Sequence, residues 1–179
     1  TLIGNTSAIV PHKDYHTFAD TAEHYLNTFD RDVRFFVIGK GAQEIEIKTY
    51  VEQRKLTKYF IFTGFLENIE QVLPSLDIFF MPSKTEGLGT SVIDAFASKV
   101  PVVATRAGGI PELVRHMETG LIAEVGDSKG LAENIYTLKQ NPDLRRRIVE
   151  NAYHYSLHFS VETMALNYRK LYEETLLER

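Results

Sequence analysis

The chain contains no cysteine, which excludes a disulfide framework and any thiolate metal site. It also lacks a long apolar run. Nothing approaches the ~18 residues that a membrane-spanning helix requires, and no signal-peptide pattern precedes the first strand-like segment. There is no excess of positive charge. Lysine and arginine number 20 against 24 aspartates and glutamates, a formal net charge of −4, so neither nucleic acid nor an anionic membrane surface is an expected partner. Internal repeats, low-complexity tracts and linker-like boundaries are missing too. With those classes removed, an ordinary globular profile is left, 44% hydrophobic over 179 residues, enough for one domain with a sizeable core. The absence of cysteine fits a cytoplasmic location. The chain opens on Thr1 inside apolar sequence, which reads as a start within a longer protein.

Strand-like and helix-like segments alternate along that length. Apolar runs at 1–10, 33–39, 58–65, 77–82, 101–105 and 119–125 read as six strands. Helical patterns fall between and after them, at 14–29, 42–55, 68–76, 90–99, 110–116, 128–140, 142–155 and 160–177. Strands separated by helices imply βαβ crossovers and a doubly wound parallel sheet in an α/β fold. The last helix carries Met164, Ala165, Tyr168, Leu171, Tyr172 and Leu176 at helical spacing, a stripe that this chain alone is expected to cover only in part.

In an open parallel sheet, ligands bind at the carboxyl ends of the strands. Distinctive sequence collects there: "PHKD" (11–14), "GKG" (39–41), "GFLEN" (64–68), "SKTEGLG" (83–89) and "RAGGIPE" (106–112). Glycines let backbone amides approach an anion, and helix starts at Asp14, Gly89 and Ile110 would add free N–H groups and a positive dipole end. This edge suits a nucleotide or diphosphate. The stretch "SKTEGLGTSVIDAF" (83–96) sets two carboxylates, Glu86 and Asp94, eight residues apart around a glycine-rich turn. A carboxylate accepts both hydroxyls of a cis-diol such as ribose offers. Asp94, one turn into its helix, can share a cleft with Thr90.

Other candidates are weaker. "GLGTSV" lacks the third glycine of the dinucleotide fingerprint, and Lys40 in "GKG" lacks the spacing of a P-loop. "DRD" (30–32) precedes the second strand, at the amino edge, and reads as a solvated turn. Glu150, His154 and His158 recur at i, i+4, i+8 but lie outside the cleft edge. His12, beside Lys13, is close enough in sequence to approach a ligand; His16 reads as structural.

Taken together, "SKTEGLGTSVIDAFASKVPVVATRAGGIPELV" (83–114) resembles the donor-binding core of retaining glycosyltransferases with the GT-B fold, above all glycosyltransferase family 4. Their pattern is an E-x7-E motif within "EGFG…EAMA.G.PVVAT..GGIPE". "IVPHKD" (9–14), "VRFFVIGKG" (33–41) and "TGLIAEVGD" (119–127) match the family's flanking motifs in order. The resemblance covers nearly the whole chain. It implies that 1–179 is a single nucleotide-sugar-binding domain, the Rossmann-like half of a GT-B fold. The N-terminal, acceptor-binding domain of the same polypeptide would be absent from this chain, and this piece alone would be inactive in transfer. Activity of that kind takes place in the cytoplasm or at the inner face of a membrane reached through the missing domain.

By the same resemblance, Glu86 lies beside the donor sugar and Asp94 holds the ribose. The amides of Gly87, Leu88, Gly89 and Thr90 bond the diphosphate, Lys13 contacts it as a point charge, and the main chain near Leu66 reads the base. Glu86 and Lys13 are then the catalytic pair. No metal or other cofactor is implied, and the nucleotide diphosphate-sugar is a substrate. Three departures stand out. The second acid is Asp94 rather than Glu. Ser7 and Ala8 hold the places of a usual Arg, for which Lys84 or Arg106 would have to substitute. Lys99 and Val100 replace the usual Gly before "PVVAT". Alternatives are another GT-B reaction, sugar-nucleotide epimerisation or phosphorolysis, or a nucleotide-sugar-binding module without catalysis.

Overall fold

The computed structural model describes residues 1–177. Six parallel strands form one sheet in the order β3-β2-β1-β4-β5-β6. They are β1 (Leu2–Thr6), β2 (Arg34–Ile38), β3 (Phe60–Gly64), β4 (Ile78–Met81), β5 (Val102–Thr105) and β6 (Leu121–Ala123). The doubly wound reading holds. β4 (IFFM) and β5 (VVAT) are buried at every position, as strands covered on both faces must be. β1 pairs with β2 from Leu2–Arg34 to Thr6–Ile38, and on its other side with β4 through Ile3–Ile78 and Gly4–Phe79. The order reverses between β1 and β4, so the crevice expected for a ligand opens above these two strands.

Helices cover both faces. One apolar cluster joins the sheet to α1 (Tyr15–Thr28), α2 (Glu44–Gln53) and α6 (Ser128–Gln140), with Phe18, Tyr25, Phe35 and Phe80 fully buried. The other joins it to α4 (Thr90–Ala97), α5 (Ile110–Leu113) and α7 (Pro142–Ser156), around Phe79, Val92 and Phe96. α1 shows why its sequence is helical: Tyr15, Phe18, Ala22, Tyr25 and Leu26 fall on the buried stripe. α6 lies against α1, β5 and β6.

Several elements are shorter than the periodicity predicts. β1 ends at Thr6, because Ser7 to Val10 peels away while Ser7 and Ile9 amides still bond the carbonyls of Ile38 and Lys40. The segment 68–76 divides into α3 (Ile69–Val72) and a 3-10 turn at Leu73–Ser75, since Pro74 cannot donate to a continuing helix. α5 is a single turn. Val114 turns extended after it, and the Thr119 hydroxyl donates to the carbonyl of Leu113 while accepting from the Arg115 amide. α8 (Val161–Leu177) projects with Met164, Leu166, Tyr168, Leu171 and Tyr172 all exposed, so the terminal stripe is largely uncovered.

Candidate functional site

The loops that follow β1, β2, β3 and β4 meet over the carboxyl edge. Their centre is the start of α4. Gly89, in the left-handed region at φ 77°, turns the chain into that helix, and a Cβ there would sit 2.4 Å from Ile110 Cδ1. No side chain caps α4. The Val92 amide donates to the Gly89 carbonyl at 2.9 Å, and the amides of Thr90 and Ser91 are left open to an acceptor from outside.

The other two helix starts are not available in this way. Asp14, at φ 50°, caps α1 itself. Its carboxylate accepts from the Thr17 hydroxyl at 2.6 Å and the Thr17 amide at 3.4 Å, so the positive end of α1 already holds an anion. The loop before α5 keeps Arg106 and Gly108 exposed but packs its inner side against the Glu86 loop. The Gly109 amide donates to the Glu86 carbonyl, and a Cβ on Gly108 or Gly109 would lie 2.0 Å from the carbonyl oxygen of Glu86 or Gly87. Residues 106–109 thus form a buttress for the Glu86 loop, which the sequence motif alone did not reveal.

Glu86 and Lys13 come together although 73 residues apart. Lys13 Nζ donates to Glu86 Oε1 at 2.5 Å, and the buried Ser83 hydroxyl donates to the same oxygen at 2.7 Å. The two charged side chains are only 15% and 9% exposed, which removes most of the solvent screening that weakens surface pairs. Ser83 is itself held, its carbonyl accepting from Thr105 Oγ1 at 2.6 Å. β5 therefore reaches the acid through one hydroxyl and the buttress through another contact.

Beside this pair lies a groove of about 470 Å³. Phe65, Leu66 and Ile69 give it apolar lining, and Lys40 with Thr90, Ser91 and Asp94 of α4 line it too. Tyr15, 1% exposed, fixes the lip of the groove: its hydroxyl lies 2.9 Å from Ser7 Oγ and donates to the Ser7 carbonyl at 3.2 Å. Burial pushes the Tyr15 pKa up to about 12. Asp94 keeps an exposed edge, yet partial desolvation by its neighbours raises its carboxyl above the ordinary aspartate value.

The structure therefore brings Leu66, Thr90 and Asp94 into one groove, and Lys13 and Glu86 into one ion pair, with Gly87 and Gly89 in the loop between. Leu88 points elsewhere. It lines a second groove of about 470 Å³ with Ile93, Phe159, Met164, Tyr168 and Leu171, and Thr90 borders both. Both substitute cations are paired in this arrangement, through contacts more exposed than that of Lys13 with Glu86. Lys84 Nζ pairs with Asp14 at 3.3 Å and Arg106 Nε with Glu124 at 3.0 Å. Lys40, which lines the groove, makes no ion pair among the described residues. Ser83, Tyr15, Phe65 and Ile69 were missed in the sequence. Only "GFLEN", placed after a strand, signalled the apolar wall.

Outside the cleft, Asp30 of "DRD" accepts from Lys139 and Tyr25 at the amino edge, and His154 pairs with Glu150 at 2.8 Å. Among the described residues no group of three or more His, Asp or Glu side chains is arranged to hold a metal ion, and no helix is long and apolar enough to cross a membrane.

Comparison with known proteins bears on the family and the fold. The family model described as "Glycosyl transferases group 1" matches residues 1–155. The N-acetyl-alpha-D-glucosaminyl L-malate synthase of Bacillus anthracis is 31% identical over 121 residues, 68% of this chain and 32% of the relative. A crystal structure of Anabaena Alr3699/HepE in complex with UDP-glucose superposes with a TM-score of 0.84 at 26% identity, covering 99% of this chain and 49% of that one. The crystallised C-terminal domain of a glycosyl transferase group 1 family protein (LpcC) from Francisella tularensis gives a TM-score of 0.76 at 31% identity, covering 86% and 82%. The chain spans 32–46% of the length of three curated relatives it matches.

Proposed function

Since the chain belongs to the glycosyl transferases group 1 family, we propose that it is the nucleotide-sugar-binding half of a retaining glycosyltransferase that moves a sugar from a nucleotide diphosphate-sugar to an acceptor. The observation that carries this reading is the continuity of three features at one sheet edge. They are an apolar slot at Leu66, a carboxylate at Asp94 facing it, and the uncapped start of α4 beside the Lys13–Glu86 pair.

Each feature matches a part of the donor. The base lies against Phe65, Leu66 and Ile69, and the main chain there reads its edge. Asp94 accepts the two ribose hydroxyls. The amides of Gly87 to Thr90 and the Lys13 ammonium meet the diphosphate. As the bond to the sugar breaks, negative charge grows on the leaving diphosphate, and these fixed donors stabilise it. Glu86 sits where it can accept hydroxyls of the sugar. The bound UDP-glucose in the Anabaena relative supports a donor of this chemical class. The acceptor then belongs to a second domain of the same polypeptide, consistent with the fraction of the relatives' length spanned here and with the uncovered apolar face of α8.

Calorimetric titration of UDP, GDP and ADP, followed by assay of the complete polypeptide with the matching nucleotide-sugars, tests the reading. Binding of a nucleoside diphosphate and transfer with retained anomeric configuration are expected. Inverted product would remove the retaining assignment. Epimerised sugar, or transfer of the sugar to inorganic phosphate as a sugar phosphate, would move the protein to a different GT-B reaction.

A further inference from the structure

We infer that Glu86 is the group that distinguishes an intact nucleotide-sugar from the spent nucleotide diphosphate, by competing with phosphate for Lys13. The inference rests on the donor-site reading above. In the ligand-free arrangement the Lys13 ammonium is already committed: it lies 2.5 Å from Glu86 Oε1, and both side chains are largely withdrawn from water. The same oxygen takes the Ser83 hydroxyl at 2.7 Å, so Ser83 holds the carboxylate in place when the lysine leaves. The other oxygen, Oε2, has no hydrogen-bond partner among the described residues and is free to accept from a ligand.

A diphosphate arriving alone must draw Lys13 away from Glu86. The carboxylate is then left with one neutral donor, close to new negative charge, in a site where water screens poorly. An intact donor brings the remedy with it. Its sugar hydroxyls can donate to Oε2 and replace what Lys13 withdrew. Glu86 therefore weakens binding of the diphosphate and strengthens binding of the diphosphate-sugar. After the sugar has moved to the acceptor, Glu86 loses those hydroxyls, recaptures Lys13 and lowers the hold on the product. The loop that carries Glu86 is braced by Ser83 and by Gly108–Gly109, so the competition is between two positions of the flexible lysine arm.

Glu86→Gln tests this in the full-length protein, because Gln keeps the size and the bond to Ser83 while removing the charge. UDP, GDP and ADP, each with its glucose and N-acetylglucosamine conjugates, are titrated by calorimetry. For the nucleotide that the wild type prefers, Glu86→Gln is expected to bind the diphosphate about ten-fold tighter and its sugar conjugate about ten-fold weaker. In a Lys13→Ala background the gain for the diphosphate should shrink to the part due to charge repulsion alone, since no cation is left to compete for. Unchanged or weaker diphosphate binding by Glu86→Gln overturns the inference while leaving the donor site intact. An equal gain in the Lys13→Ala background also overturns it, by showing simple charge repulsion. Failure of every ligand to bind the wild type refutes the donor-site reading itself.

Discussion

Gly109→Ala isolates the buttress behind Glu86. The backbone at Gly109, φ −78° and ψ −4°, is comfortable for alanine, so conformational strain plays no part. The obstacle is space. The added Cβ would lie 2.0 Å from the Gly87 carbonyl oxygen, where ordinary contact begins near 3.4 Å, so the two loops must separate by about 1.4 Å. Forcing one extra carbon into a packed site costs about 1–3 kcal/mol. For a chain of this size each kcal/mol lowers Tm by about 2–4 °C, giving a fall of about 2–12 °C. The displacement falls on residues 86–88, so Glu86 loses register with Lys13. A misplacement of about 1 Å can cost about 100-fold in rate, and a loss of that order in transfer by the complete enzyme is expected. Gly87→Ala supplies the comparison for stability, because a Cβ there meets nothing within 4 Å. Differential scanning calorimetry and an initial-rate assay give the two readouts. Wild-type Tm and turnover in Gly109→Ala would show that loop 106–109 does not set the position of Glu86.

Three further perturbations address the rest of the site. Lys13→Ala removes a charge-assisted contact worth roughly 1.5–3 kcal/mol, so calorimetry should show about 10- to 100-fold weaker binding of the nucleotide diphosphate and little change for the nucleoside; equal losses for both would take Lys13 away from the phosphates. Asp94 has its pKa raised by desolvation, so the folded state keeps that proton to higher pH than the unfolded chain, and ionisation withdraws stability as pH rises through the unfolded value of ~3.9 and then the folded one. Asp94→Asn should therefore melt higher than wild type at pH 7, converge with it at pH 3, and bind nucleotide more weakly; parallel melting curves across that range would contradict the assigned burial. Tyr15→Phe deletes the two contacts to Ser7, which should cost about 1 kcal/mol and lower Tm by about 2–4 °C, with weaker nucleotide binding as the lip of the groove loosens; an unaltered Tm would show those contacts to be energetically silent.

The six parallel strands were legible because they depend on apolar runs, and the candidate edge was singled out by the placement of its glycines and charges. β4 and β5 are unbroken apolar stretches, and such stretches have few other solutions. Asp94 and Leu66 were singled out by the family resemblance, and the structure places both on one groove. What stayed hidden depends on contacts between segments distant in sequence. In "PHKD" the aspartate at the helix start is an N-cap signal that the dipole argument passed over, and its carboxylate takes the anion seat that argument offered there. Nothing in "RAGGIPE" says that its glycines face the carbonyls of Glu86 and Gly87 rather than a ligand. Ser83 gave no signal either, because a serine after a strand is common and its role exists only once Lys13 and Glu86 meet. The direction of Leu88, toward α8 and away from the nucleotide groove, follows from the turn at Gly89, which the motif fixed in kind but not in orientation.

The seating of α6 against α1 has a bearing on how the chain is made. Residues 2–81 contain β1 to β4 and can pair the centre of the sheet as they leave the ribosome, yet the side of α1 that meets Tyr136 through Tyr25 is covered by residues 128–140. The intervening stretch, 82–127, takes about 2–10 s to synthesise at ~5–20 residues per second. During that interval an apolar helix face waits on a half-finished sheet, within reach of other nascent chains. Substitutions that slow the docking of α6, even ones far from the nucleotide groove, would then act through yield of folded protein rather than through catalysis.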